Sequence, residues 1–319
     1  MRRHSSTDPR ADSPRTFHQS TLSLLRTVVL STAVVCLPTT SLTWAGSAPW
    51  DTLDPGLEIS LWAPGTACPE SVSAAILRVD PERYSFAVHY FREAGLSDPI
   101  PLSAWRQRTG AALVLNAGLF FDDYTYMGWL VKNGEALSAK RHAQWQGLFV
   151  AEPIRTGLRR AGILDLAVDE FTIDAPSYAE AAQALMLVDR QGKIRVRQSG
   201  KRAQQTLLAE DGNGSLYVVK TMSPASLFGL ATCIRATLPW LQQVMAMDGG
   251  SSSDVMVGNQ ILSRTTKPTT SLPPPWRALL DGTAPAIHIP LPTVIAVYPR
   301  STTHQPTPRP NNPQAQPKQ

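Results

Sequence analysis

Trp129-Leu130-Val131-Lys132-Asn133-Gly134-Glu135-Ala136-Leu137 is two short apolar runs closed by Asn-Gly. Asn and Gly both tolerate positive φ, which the tight primed turn of a β-hairpin requires. The stretch therefore predicts a hairpin, and the same pattern recurs on both sides of it. Downstream, Leu185 to Val188 and Ile194 to Arg197 flank a turn at Arg190-Gln191-Gly192. Gln205 to Ala209 and Leu216 to Lys220 flank Asp211-Gly212-Asn213-Gly214. Upstream, Ala74 to Val79 and Ser85 to Tyr90 meet at Asp80-Pro81, which predicts a further hairpin.

Between these lie fewer helical signals. Leu102 to Gly110 reads as a short helix with Ser103 as its N-cap. Ser223-Pro224 opens a second helix, with proline in its first turn, running to Leu230 or Leu238. Ala111 to Leu115, Leu148 to Ala151 and Gln243 to Met247 are short apolar runs of strand length. No βαβ alternation appears, which excludes a doubly wound parallel sheet. The expected fold class is α+β: a single mixed domain with a hairpin-rich β-sheet and a few flanking helices.

The two ends read differently. Arg2, Arg3, Arg10, Arg15 and Arg26 precede an apolar run from Val28 to Leu37, with small residues Thr43 and Ala45 after it. The run is shorter than the roughly 20 residues a membrane span needs. Residues 1–45 are thus expected to be a signal peptide or N-terminal anchor. Residues 300–319 are rich in Pro, Gln, Asn and Thr with no apolar period, the composition of a disordered tail. The 319-residue chain carries a formal net charge of +5. The leader holds +3 of it and the tail +3, leaving −1 on residues 46–299. A nearly neutral domain gives no electrostatic footprint for nucleic acid, and membrane contact is expected only through an uncleaved leader. Periplasmic or secreted placement follows from the leader. Beyond it, Cys68 and Cys233 remain as one pair, compatible with a disulfide or with two buried thiols.

Standard catalytic motifs (HExxH, GxSxG, a P-loop) are absent from the sequence. Asp211-Gly212-Asn213-Gly214-Ser215 begins like a calcium loop, but Met222 stands where a bidentate glutamate is needed. His89, His142 and His288 are scattered, so no cofactor is expected and a divalent metal has no support. Two strand ends carry the polar chemistry. One is Asn116-Ala117-Gly118, followed by Asp122. The other is Asp248-Gly249-Gly250-Ser251-Ser252-Ser253, a carboxylate followed by small residues whose backbone can approach a ligand closely. Successive N–H groups there can form an anion-binding concavity, and a partly buried aspartate can serve in acid–base work.

In this order, Asn116-Ala117-Gly118-Leu119-Phe120, Gly128 to Gly134 and Met247-Asp248-Gly249-Gly250-Ser251-Ser252 resemble the phosphodiester glycosidase domain family, over about residues 70–260. Bacterial members of that family are associated with exopolysaccharides. The resemblance implies an exported hydrolase acting on sugar–phosphate diesters. It casts Asp248 and Asn116 as catalytic, and Gly118, Gly249, Gly250, Ser251 and Ser252 as substrate-binding. Two departures accompany it. Gln205-Thr206 stands where the family carries Arg-Thr, and Leu185 where it carries proline. Phosphate would then be held by Arg202 or by Lys201 beside it, because Gln cannot replace the Arg fork. Asp122 is the candidate second carboxylate. The alternative function is a non-catalytic module binding a sugar phosphate or polysaccharide in the same pocket.

Overall fold

The computed structural model describes residues 49–68, 70–264, 277 and 289–300. The leader and the tail beyond Arg300 lie outside the described residues. Among the described residues fifteen strands run in chain order: β1 Asp51–Asp54, β2 Leu57–Trp62, β3 Ala74–Val79, β4 Tyr84–Tyr90, β5 Leu113–Asn116, β6 Leu130–Lys132, β7 Glu135–Ser138 and β8 Gly147–Pro153. They continue with β9 Ala161–Asp165, β10 Tyr178–Val188, β11 Thr206–Asp211, β12 Leu216–Thr221, β13 Leu241–Ala246, β14 Val255–Val257 and β15 Thr293–Pro299. The α-helices among the described residues are α1 Leu102–Thr109, α2 Leu227–Thr237 and the single turn α3 Asn259–Leu262.

The strands form two antiparallel sheets. The large one has eleven strands, ordered β1-β2-β3-β12-β11-β13-β10-β6-β7, with β8 and β9 branching from β10. The small one is ordered β14-β5-β15-β4. Among the described residues the molecule is therefore mainly β with few helices, roughly consistent with the expected α+β class. The hairpin-rich character holds: β6–β7 closes through Asn133 and Gly134, both at positive φ, and β11–β12 closes through the turn at Asp211. That turn is held by Asp211 itself. Its carboxylate accepts the N–H groups of Asn213 and Ser215 and the Tyr217 hydroxyl, so its oxygens already have donors within the turn.

Two expected hairpins are corrected. β3 and β4 do not pair: β3 lies between β2 and β12, and β4 pairs with β15 in the other sheet. The Asp80-Pro81 turn carries the chain from sheet to sheet. Likewise the hairpin after β10 stops early: Ile194 bridges Val188 and the Arg195 N–H donates to the Leu187 carbonyl, on the edge of β10 opposite β13, before the chain bends at Val196. The segment bends again at Gly200, and Ala203 then bridges Ala225. Helix starts shift as well. Pro101, not Ser103, caps α1, and α2 begins after Ser226, whose hydroxyl accepts the Gly229 N–H.

Apolar side chains fill the space between the sheets, among them Ile59, Leu77, Val88, Leu113, Leu115, Met245 and Ile295. Each such residue adds about 1.5–3 kcal/mol of burial. A second cluster lies under α2, where Leu230 and Ile234 pack on Trp62, Ile76, Leu207 and Val244. The Trp62 indole also donates to Thr237 at 3.0 Å. Cys233 of α2 is disulfide-bonded to Cys68, Cα to Cα 4.9 Å, which settles the thiol alternative. The bond closes a loop across 165 residues of sequence and ties α2 to the segment entering β3. Replacing Cys68 with Ser should lower unfolding free energy by about 2–5 kcal/mol. Urea titration of the oxidised, reduced and substituted full chain reads this directly, and coincident midpoints would remove the staple from the account.

Candidate functional site

The two polar strand ends predicted from sequence meet. β5 ends at Asn116 in the small sheet, while β13 runs out of the large sheet into Met247 and Asp248. The Asp248 N–H donates to the Ala117 carbonyl at 3.0 Å, and the Met247 N–H to the Thr206 carbonyl at 2.9 Å. Asn116 is 1% exposed, so its amide must find partners inside. Its Nδ2 donates to the carbonyls of Asp248 (2.8 Å) and Ala117 (3.1 Å), and its Oδ1 accepts the Asp254 N–H (3.0 Å). Both ends of the Asp248–Asp254 loop are thus clasped by one side chain. Asn116 acts on that loop: both its donors are spent there, and at 1% exposure its oxygen is closed to a sugar hydroxyl.

Asp248 keeps its carboxylate at the surface of a cavity of about 480 Å³, lined also by Leu119, Trp145, Lys201, Gln205 and Leu227. Burial raises the carboxyl above its ordinary value, and hydrogen bonds from Ser252 and the Gly249 N–H offset only part of that. Asp248 is the cavity's one carboxylate among the described residues. Asp122 is exposed and does not line it.

The glycines serve packing. A Cβ on Gly249 would stand 2.7 Å from Gln205 Oε1 and 3.1 Å from the Gln204 carbonyl. A Cβ on Gly118 would stand 2.8 Å from the Gln183 carbonyl, and Gly118 N–H donates to the Tyr126 hydroxyl at 3.1 Å. The expected backbone cradle for phosphate does not form. Gly249 N–H donates to the Asp248 carboxylate at 2.9 Å, and Gly250 N–H to the Gln204 carbonyl at 2.8 Å. Ser252 is buried against Asp248, and Ser251 is exposed at the rim of the loop.

The cation also differs from expectation. Arg202 pairs with Glu70 and donates to the Pro224 carbonyl at 2.9 Å, and Lys201 rather than Arg202 lines the cavity. Gln205 is nearly buried, and its Nε2 donates to the carbonyls of Ala203 and Ala225.

Sequence reasoning missed two supports. Gln183, fully buried in β10, uses its whole amide. Its Oε1 accepts the N–H groups of Trp129 and His142, each at 3.0 Å, and Nε2 donates to the carbonyls of His142 (2.9 Å) and Trp145 (2.6 Å). It thereby fixes the chain that carries Trp145 over the cavity. The second support is Lys220, buried behind the loop, where it donates to Ser253 Oγ (2.8 Å) and Gln204 Oε1 (3.2 Å). One signal was available: Gln183 is a polar residue inside an otherwise apolar strand, where only a satisfied amide is tolerated.

Comparison with known proteins bears on this site. The sequence profile of the phosphodiester glycosidase family matches residues 109–280, which contain every residue lining the cavity. No curated protein matches the chain by sequence. Two solved structures share its fold at low identity. A hypothetical protein from Synechocystis superposes with a TM-score of 0.54 at 13% identity, covering 79% of this chain and 64% of that one. The chain thus spans less than two thirds of that protein's length. The zebrafish N-acetylglucosamine-1-phosphodiester alpha-N-acetylglucosaminidase catalytic domain, auto-inhibited by its pro-peptide, has a TM-score of 0.54 at 12% identity. That match covers 80% of this chain and 87% of that domain.

The clasp makes a direct prediction. Asn116→Ala strands the Asp254 N–H and two carbonyls, and should cost about 2–4 kcal/mol of stability. If the variant melts at the wild-type temperature, Asn116 is not the structural clasp described above.

Proposed function

Because the chain belongs to the phosphodiester glycosidase family, we propose that it is an exported hydrolase of sugar–phosphate diesters. Water attacks the anomeric carbon, the bond from that carbon to the bridging oxygen breaks, and a free sugar and a phosphate monoester leave. The observation that carries this reading is the pairing of Asp248 and Lys201 in one cavity, at the family's Asp-Gly-Gly segment.

The chemistry asks little of a proton donor. A phosphate ester departs as a weakly basic anion, unlike the alkoxide that an ordinary glycosidase must protonate. The remaining demands are a carboxylate beside the anomeric carbon and a positive charge for the departing anion. Asp248, ionised, takes the proton of the attacking water and faces the oxocarbenium-like sugar. Lys201 supplies the positive charge as a compact ammonium, without the two-pronged geometry of arginine. Ser252 and the Gly249 N–H hold the carboxylate in place. The apolar walls, Leu119, Trp145 and Leu227, accept the faces of a sugar ring.

Export rests on the arginine-led leader and is supported by the Cys68–Cys233 disulfide, a bond that persists in oxidising compartments. Among the described residues no helix is long and apolar enough to cross a membrane. The second reading is a non-catalytic sugar-phosphate or polysaccharide module. The presence of Gln205 at the family's arginine position and the lack of a second carboxylate in the cavity favour it.

Sugar release from hexose 1-(methyl phosphate) diesters by the full chain separates the two. Asp248→Asn should abolish release while leaving the melting temperature intact. The pH profile carries a second test. Asp248 must be ionised to act as base, and its carboxyl is raised above the ordinary value by burial. Activity should therefore fall on acidification at a pH above the usual aspartate range, and that limb should be missing from any residual activity of the variant. Turnover that survives Asp248→Asn unchanged removes Asp248 from the mechanism. Binding without turnover across the diester panel establishes the module.

A further inference from the structure

A second cavity of about 580 Å³ adjoins the first and shares Trp145, Leu185, Ser199 and Leu227 with it. Each compartment alone has the volume of an ordinary small-molecule site, roughly 300–1,000 Å³. One wall of both is the segment that leaves β10 and re-enters the sheet at β11. Arg195, Arg197 and Ser199 line the second cavity, and Ser199, Lys201, Ala203 and Gln205 line the first. Every second residue faces the cleft, with Val196 the one even-numbered exception. The odd-numbered positions thus line the cleft along a segment that bends at Val196 and Gly200. Parity also explains Arg202: one position off the pattern, it points to Glu70 instead.

The charges on that wall are not equivalent. Arg195 is balanced by Asp165 (3.1 Å) and Asp189 (3.2 Å). No acidic partner among the described residues pairs with Arg197 or with Lys201. Their Cα atoms, four residues apart, stand at most about 13 Å from each other, at roughly 3.3 Å per residue. Ser199 stands between them with a hydroxyl. The opposite wall offers Gln144 and the Trp145 indole, which is stacked with His142 at 3.9 Å between ring centroids. Paired hydroxyl and amide groups around an aromatic ring suit sugar rings, and two unpaired cations suit separated negative charges.

We propose that this wall, Arg197-Ser199-Lys201, is a subsite for an extended anionic glycan, holding acidic groups beyond the phosphate that is cut. The inference rests on Asp248 marking the reactive end of the cleft. Lys201 lies at that end, and Arg197 lies in the neighbouring compartment. A substrate filling both is a chain with repeated negative charge, held along its length, and a small diester with a neutral arm fills only the first. Arg197 and Lys201 are both exposed, so their attraction is screened by salt.

The test measures binding, independently of turnover, by calorimetry on the full chain at low ionic strength. Trigalacturonate and maltotriose are the probes, equal in ring number and different in charge. Trigalacturonate should bind at least about tenfold tighter, and Arg197→Gln and Lys201→Gln should each weaken it by about threefold to tenfold. The lining supplies the control: Ser199→Glu should repel the anionic probe, and Gln198→Glu, which lines neither cavity, should not. Asp248→Asn should not weaken binding, and trigalacturonate binding by a wild-type chain that turns over no diester overturns the catalytic reading alone. The subsite is overturned if trigalacturonate does not bind, if maltotriose binds equally, or if both cation variants bind like the wild type. UMP binding more tightly than trigalacturonate assigns the second compartment to a nucleotide arm and also overturns it.

Discussion

The site depends on one buried amide. Asn116 sits at the end of a strand in the small sheet, and its partners belong to the loop that leaves the large sheet. An amide carries two donors and two acceptor positions, and burial makes every one of them costly to leave empty. Here both donors and one acceptor position are used within a few residues of Asp248. The carboxylate therefore stands at a fixed place relative to both sheets without touching Asn116 itself. A carbonyl-to-amide clasp suits this task, since it sets backbone position and leaves the carboxylate free of a competing donor.

Behind the loop the arrangement costs stability. Burial pushes Lys220 down to about 8, against the upward pull of Asp254. Its folded value lies below that of an unfolded lysine, so the penalty of carrying the ammonium is present at neutral pH and fades as pH rises through the folded value. The cost is on the order of 3 kcal/mol. What it secures is geometry: Lys220 holds Ser253, which also meets Thr206 at 2.9 Å, and so pins the far end of the same loop. Strain of this kind is commonly concentrated around functional loops rather than spread through a core.

Much of this was legible because it is local. Asn133-Gly134 and the Asp211 turn specify their own geometry, and both hairpins form where the sequence places them. Ala74 to Val79 was correctly a strand, but its pairing was not readable, since partner choice depends on which sheet buries it. The same limit applied to Ile194 to Arg197: it pairs with the edge of β10 opposite β13 only as far as Arg195, because the chain bends away at Val196. For the site, the residues Asn116 and Asp248 were visible as strand ends. Their relation through a backbone carbonyl was not, because nothing in a sequence 132 residues apart encodes which atom meets which. Gln183 and Lys220 were missed for the opposite reason. Each is a polar residue in a strand, and only burial turns that into a structural demand.

The exchange of arginine for Gln205 acquires a physical meaning in this frame. Gln205 is nearly buried, fills the space over Gly249 and spends its amide on carbonyls. An arginine there would present a rigid fork to phosphate and select on its geometry. On the proposed reading the positive charge moves to Lys201, four residues earlier on the same cavity wall, and a point charge on a flexible stem replaces the fork. Such a charge discriminates weakly among phosphate orientations. Selectivity then has to come from elsewhere along the cleft, and the same parity that brings Lys201 inward also brings Ser199 and Arg197 inward. On the proposed reading, weaker selection at the phosphate and added contacts along the wall both follow from the one segment between β10 and β11.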